Sequence, residues 1–102
     1  MAARIGEFEF TAPLWLHQGG SWYFVTVPEE ISEDIRDLTV GLRHGFGSVR
    51  VAVTVGRTSW RTSVFPDSTS GTFVLPVKKS VRTAEGLAAG AGVEITLELA
   101  DL

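Results

Sequence analysis

Lys78, Lys79 and Arg82 form the densest cluster of cations in this chain, in the stretch LPVKKSVRTAEGL that begins at Leu75. Three positive charges this close can hold a phosphate or a carboxylate, above all at the start of a short helix, whose free backbone N–H groups already favour anions. The competing reading is a solvated polar face. Three cations also fall short of the roughly 6–10 phosphate contacts of a strong DNA binder. Arg57 and Arg61 extend the cluster if their side chains face it. Trp22, Tyr23, Phe46 and Trp60 could stack on a base or another flat ligand, although aromatic side chains also dominate the cores of small domains. Trp60 lies between Arg57 and Arg61 and is the one most open to a binding role. The candidate ligand-binding set is therefore Trp60, Lys78, Lys79, Arg82, Arg57 and Arg61.

Other chemistry does not assemble. His17 and His44 are the two histidines, far apart in the chain, and a metal site would need both with carboxylates brought in. His44 reads better as a cation completing the dipole at a helix end. Glu29, Glu30, Glu33, Asp34 and Asp37 crowd one helix and read as its solvated face, because a working carboxylate pair needs environments that split their pKa values. No serine sits in a nucleophile-elbow context. Gly45-Phe46-Gly47 is too short for a phosphate-binding glycine loop. No metal, cofactor or catalytic residue is expected.

The 102 residues bound one domain, taken as 1–102, and 44% apolar content is enough for a core rather than a disordered chain. The net charge of −3 disfavours general nucleic-acid binding while leaving room for a local basic face. Without cysteine there is no disulfide, thiolate nucleophile or cysteine-ligated metal. No apolar run is long enough to span a membrane, and MAARIGEFEF lacks an apolar signal region. A cytoplasmic protein that does not engage membranes is the expectation.

The elements that must position the cluster follow from periodicity. Phe8 and Phe10 against Glu7 and Glu9 give a first strand over residues 1–11; Ala12 to Gly20, with Pro13 and Gly19-Gly20, reads as a loop with Trp15 and Leu16 packed down. Trp22–Val27 is a second strand. Pro28 opens a helix over about 29–43, with Ile31, Ile35, Leu38 and Leu42 as one apolar stripe and Arg43 and His44 at its end. Alternating valines make Val49–Val55 the third strand, Gly56-Arg57-Thr58-Ser59 a hairpin turn, and Trp60–Phe65 the fourth strand. Pro66 to Gly71 is a loop of turn formers. Thr72–Val77 is a fifth strand that Pro76 places at an edge or an end. Ser80 is the expected cap of a short helix over about 79–85 and Gly86 its left-handed terminus. Val93, Ile95, Leu97 and Leu99 alternate with Glu94, Thr96 and Glu98 in a last, half-buried strand.

The chain also repeats itself loosely. Val25-Thr26-Val27-Pro28, a helix, Gly45/Gly47 and Val49–Val55 match Phe73-Val74-Leu75-Pro76, a shorter helix, Gly90/Gly92 and Val93–Leu99. Neither unit can bury its own apolar face, so two packed about a pseudo-twofold axis make physical sense. The fold expected is mainly β: a small double-split-type barrel of about six strands from two pseudo-symmetric halves, with one α-helix and one short helix.

WYFVTVPEEI, GFGSVRVAVTV, SWRTSVFPD and FVLPVKKSVRTAEGL together resemble a bacterial and archaeal domain-of-unknown-function family, number 1905, from about Phe8 to Leu99. Gly45-Phe46-Gly47, Trp60 with Ser63, Phe65 and Pro66, and Leu75-Pro76-Val77-Lys78-Lys79 with Arg82 carry the resemblance. Related chains usually read Gly-Asp where this one has Gly90-Ala91. The resemblance implies a fold similar to the double-split barrels of the AbrB and MazE type regulators. Those are homodimers with one half per chain; here one chain holds both halves, so a monomer is expected. No activity, substrate or catalytic residue comes with the family. The expected function is a non-catalytic binding or interaction domain for an unknown ligand or protein. The alternatives are a nucleic-acid binder, by analogy with the regulators, and an enzyme with a pocket between the halves.

Overall fold

Val49, Val51, Val53 and Val55 turn inward and Arg50, Ala52 and Thr54 outward, the period of two that makes β3 (Val49–Val55) a barrel stave with one apolar side. The same alternation shapes β6 (Gly92–Leu99), whose Val93, Ile95, Leu97 and Leu99 are all buried. In the computed structural model, which describes residues 5–41 and 47–100, these join β1 (Glu7–Leu16), β2 (Tyr23–Thr26), β4 (Thr58–Asp67) and β5 (Thr72–Pro76). The six strands close into one antiparallel barrel in the order β1-β2-β5-β4-β3-β6. The helices α1 (Glu29–Leu38) and α2 (Lys79–Glu85) follow β2 and β5. Because β2 and β5 are antiparallel neighbours, the two helices leave at opposite ends of the barrel. The expected mainly β barrel with one full and one short helix is the architecture found. Leu14, Val25, Leu75 and Leu97 fill its interior at 1% exposure or less, each contributing about 1.5–3 kcal/mol by leaving water.

Several boundaries differ from the sequence expectation. The stretch after Ala12 is strand, not loop: β1 runs through Pro13 to Leu16 and exchanges one partner for another, pairing with β6 as far as Pro13 and with β2 from Leu14. Leu14 donates its N–H to Ala91 on the β6 side. The alternate residue Pro13 therefore turns its nitrogen away from β6, beyond the end of the β1–β2 ladder, where no ladder bond is lost. Leu16 is 47% exposed rather than packed down. β4 likewise runs through Pro66, opposite Phe73. Pro76 ends β5 but lies between two strands, not at an edge.

The helices differ too. α1 stops at Leu38, not near residue 43, because the Thr39 hydroxyl donates to the Ile35 carbonyl at 2.6 Å and Gly41 takes φ +83°. Its buried face is Ser32, Ile35 and Thr39, with Leu38 at the surface. Leu42, Arg43, His44, Gly45 and Phe46 lie outside the described residues. Ser80 does not cap α2. Lys78 occupies the N-cap, no side chain caps it, and Ser80 sits within the first turn. Gly86, at φ +64°, ends it as expected.

The twofold repeat is present with a different register from the proline match. The pairs Trp15–Phe24 and Leu16–Tyr23 recur 50 residues on as Phe65–Val74 and Pro66–Phe73. The start of α1 at Glu29 likewise recurs at Lys79. The counterpart of Pro28 is Lys78, not Pro76, because Val77 intervenes between the last strand residue and the N-cap.

One contact between the halves fixes the β3–β4 hairpin. Glu85, in the last turn of α2, accepts hydrogen bonds from the Thr58 hydroxyl at 2.6 Å and the Arg57 N–H at 3.3 Å. Gly56 in that turn has φ +58°, and a Cβ there would collide with the Glu85 carboxylate. Gly56→Ala should therefore cost about 2 kcal/mol from left-handed backbone strain and the displaced carboxylate. By the size scaling of small domains, that lowers the thermal midpoint by ~10 °C. An unchanged midpoint in a calorimetric scan would show that the turn does not hold this conformation.

Candidate functional site

Trp60 and Thr62 open β4 with their side chains on the barrel-interior row, Tyr23 does the same for β2, and Val77 leads into α2. These residues meet at one mouth of the barrel, the mouth beside α2. There they line a cleft of about 230 Å³. Lys78 at the N-cap of α2, with Lys79 and Arg82 of the helix, borders it on one side; Arg61, Trp22 and Ser21 border it on others. Five of the six residues singled out from sequence therefore share one cleft. Arg57 does not. The hairpin turn carries it to the far end of α2, where its backbone is tied to Glu85. Trp22 and Tyr23, considered for stacking, belong to the lining with Trp60.

Arg82 is the fixed cation of the group. Its Nε donates to the Val77 carbonyl at 3.1 Å, and its guanidinium lies 3.8 Å from the centre of the Tyr23 ring. That close stacking is worth about 0.5–2 kcal/mol and sets the plane of the fork. Lys78 and Lys79 are exposed. Four of the nine Lys and Arg residues of the chain line this cleft, and among the described residues no carboxylate does. α2 spans only seven residues, and the positive character of the cleft comes from its side chains.

The other half of the barrel shows what the fold alone requires. The counterpart of Arg82 is Ser32, which is fully buried. Its hydroxyl donates to Val27 at 3.2 Å, as Arg82 does to Val77, and accepts the Phe73 N–H at 3.1 Å. Phe73, the counterpart of Tyr23, is buried, and the Arg36 guanidinium sits 5.8 Å from its ring while donating to the Gly71 carbonyl. A short side chain in the same bond lets that end pack shut. The long Arg82 spans a gap at the other. The hydrogen bond to the strand-end carbonyl and a guanidinium over the ring are common to both halves; Trp22, Trp60 and the convergence of four cations on one cleft are particular to one.

Besides a depression of about 380 Å³ bordered by Phe8, Asp34, Asp37 and Leu38, two more that exceed the cleft in size lie on the barrel wall. One, about 340 Å³, is bordered by Arg50, Arg61, Ser63 and Phe65. The other, about 460 Å³, is bordered by Glu9, Glu94 and threonines of β1, β3 and β6. The cleft is the smallest of these four, so size does not choose it. The mouth cleft brings four cations together with three aromatic rings, where the groove of Arg50, Arg61 and Phe65 has two and one, and it shows the mix of apolar wall and few polar groups that binding sites have. The carboxylates of α1 are all exposed, a solvated face.

Residues 10–97 match the family model described as Domain of unknown function (DUF1905). The chain belongs to that family. No curated protein is similar enough to be matched with it. The family match covers every strand and both helices of the barrel apart from a few end residues, so the whole cleft lies within the DUF1905 domain. Among the described residues no helix is long and apolar enough to cross a membrane.

Proposed function

We propose that this DUF1905 domain is a binding module for an anion carrying a flat ring, held in the mouth cleft. The observation that carries the reading is the convergence of Arg61, Lys78, Lys79 and Arg82 with Trp22, Tyr23 and Trp60 about one cleft. The cations supply charge-assisted hydrogen bonds to a phosphate or carboxylate. The aromatic faces supply stacking. At about 230 Å³ the cleft lies just below the ~300 Å³ lower end of ligand pockets, which favours one ring with its anionic group over a larger molecule. The lining offers charge and stacking rather than a nucleophile paired with a base, which supports binding over catalysis. A barrel that closes within one chain supports a monomeric module.

The test is an amide-shift titration with phenyl phosphate and nucleoside monophosphates at low salt. Shifts should cluster at Trp60, Arg61, Lys79 and Arg82. Replacing both Lys78 and Lys79 by alanine should weaken binding ~10-fold or more, since losing two charged contacts costs about 1.5 kcal/mol or more. The thermal midpoint should not move, because both lysines are exposed. Affinity unchanged in the double variant, or no shifts with any probe, would overturn the proposal.

A further inference from the structure

On the outer wall of the barrel, Trp22 continues the cleft into a run of exposed and half-exposed rings. Trp22 is 63% exposed and lies parallel to Phe24, with 12° between the rings and 6.1 Å between centroids. Phe24 is 5.2 Å from Trp15, its direct cross-strand partner, and pairs on its other side with Pro76, which also borders the cleft. The Trp15 indole is anchored by its N–H to the Thr26 hydroxyl at 2.9 Å. On the opposite flank, Arg61 belongs to both the cleft and the neighbouring groove, where Arg50, Ser63 and the 42%-exposed Phe65 lie. One wall of the molecule thus carries rings in series with cations beside them. The carboxylates Glu9 and Glu94 border the depression on β1 and β6.

Resting on the cleft reading above, we propose that the ligand is a single-stranded nucleic acid of a few nucleotides, one base and phosphate in the cleft and its neighbours on this wall. Every base has a face that can stack on Trp22, Phe24 and Trp15, and sequence-tolerant stacking beside a basic groove is how single strands are held. Charge complementarity chooses this occupant over an apolar peptide or a second copy of the chain: the Trp22 end of the ring series meets the cations of the cleft, Arg61 and Arg50 continue them along β4 and β3, and a second copy would bring its own cations against them. A duplex hides its base faces in the stack, so it can engage only the cations.

The experiment compares thymidine monophosphate, a six-nucleotide oligothymidylate and a duplex of the same length, by tryptophan fluorescence and amide shifts at two salt concentrations. The hexamer should bind ~10-fold or more tighter than the monophosphate and move the Trp15 and Phe24 amides, which the monophosphate leaves in place. Its log affinity should fall with log salt with a slope of roughly −2 to −3, as three or four single-strand phosphate contacts require. Phe24→Leu keeps an apolar side chain and removes the ring; it should weaken the hexamer ~5-fold and leave the monophosphate unchanged. Equal affinity for hexamer and monophosphate, with shifts confined to the cleft, would overturn the single-strand proposal and leave the small-anion reading standing. Duplex binding as tight as the hexamer, or no hexamer binding at all, would also overturn it.

Discussion

Phe73→Ala should lower the unfolding free energy by about 4 kcal/mol, a large part of the roughly 5–15 kcal/mol a domain of this size possesses. Phe73 is 1% exposed, among the largest side chains wholly inside the barrel. Its N–H is held by the buried Ser32 hydroxyl, and that serine in turn is anchored to Val27. Removing the ring opens a cavity at the closed end and takes away the face that Arg36 covers. Tyr23→Ala, at the equivalent position of the open end, should cost about half as much, because the ring already borders solvent on the cleft side. The pair separates packing from function. In urea titrations Phe73→Ala should shift the midpoint further, whereas Tyr23→Ala should do the greater damage to anion binding. Equal stability costs would contradict the asymmetry between the two ends.

That asymmetry was only partly legible in the sequence. Strands with a strict period of two, Val49–Val55 and Val93–Leu99, were readable because one face must be apolar and the other wet. The bounds of β1 were not. Pro13 looks like a breaker, and only the change of partners from β6 to β2 shows why its missing N–H costs nothing there. An apolar residue at 42 extends the helical pattern past the end of α1, while the hydroxyl of Thr39, bonded back to Ile35, gives the turn another partner. The repeat was visible as a pattern, but the two prolines suggested the wrong register. Pro28 opens a helix and Pro76 closes a strand, two different uses of a residue with fixed φ. The spacing of the buried residues Val25 and Leu75 marks the true correspondence.

The cleft was more legible than the fold boundaries. Trp60, Arg61, Lys78, Lys79 and Arg82 meet because β4 begins and β5 ends at the same barrel mouth, so a cluster at the start of α2 faces the first residues of β4. Arg57 stands three residues before Trp60 in sequence, but a turn residue goes wherever the hairpin tip goes, and the backbone of this tip is tied to Glu85. Trp22 gave a signal as an aromatic beside a strand. Its stacking on Phe24 could not be read without knowing which face of β2 is outward.

Arg82→Ala should do two things at once, and Arg82→Lys should separate them. The alanine variant loses the bond to the Val77 carbonyl and the cation stacked on Tyr23. Together these are worth about 2 kcal/mol of stability, one charged hydrogen bond at a half-buried site plus part of a cation–π contact. It also removes the best-oriented cation of the cleft, so affinity for phenyl phosphate should fall ~30-fold or more, about 2 kcal/mol at 1.4 kcal/mol per factor of ten. Lysine keeps the charge but has no planar fork and no Nε to reach Val77. It should recover part of the affinity and little of the stability. Calorimetry and the phosphate titration, run on both variants, read the two effects independently. Full recovery of stability by lysine would mean that charge alone fixes α2 against the mouth, and the contrast with Ser32 would then lose its meaning. Full loss of affinity in the lysine variant would mean that the stacked plane, rather than the charge, selects the ligand. That outcome would strengthen the case for a flat anion, because only a planar donor fork set against aromatic walls discriminates a ring-bearing anion from inorganic phosphate.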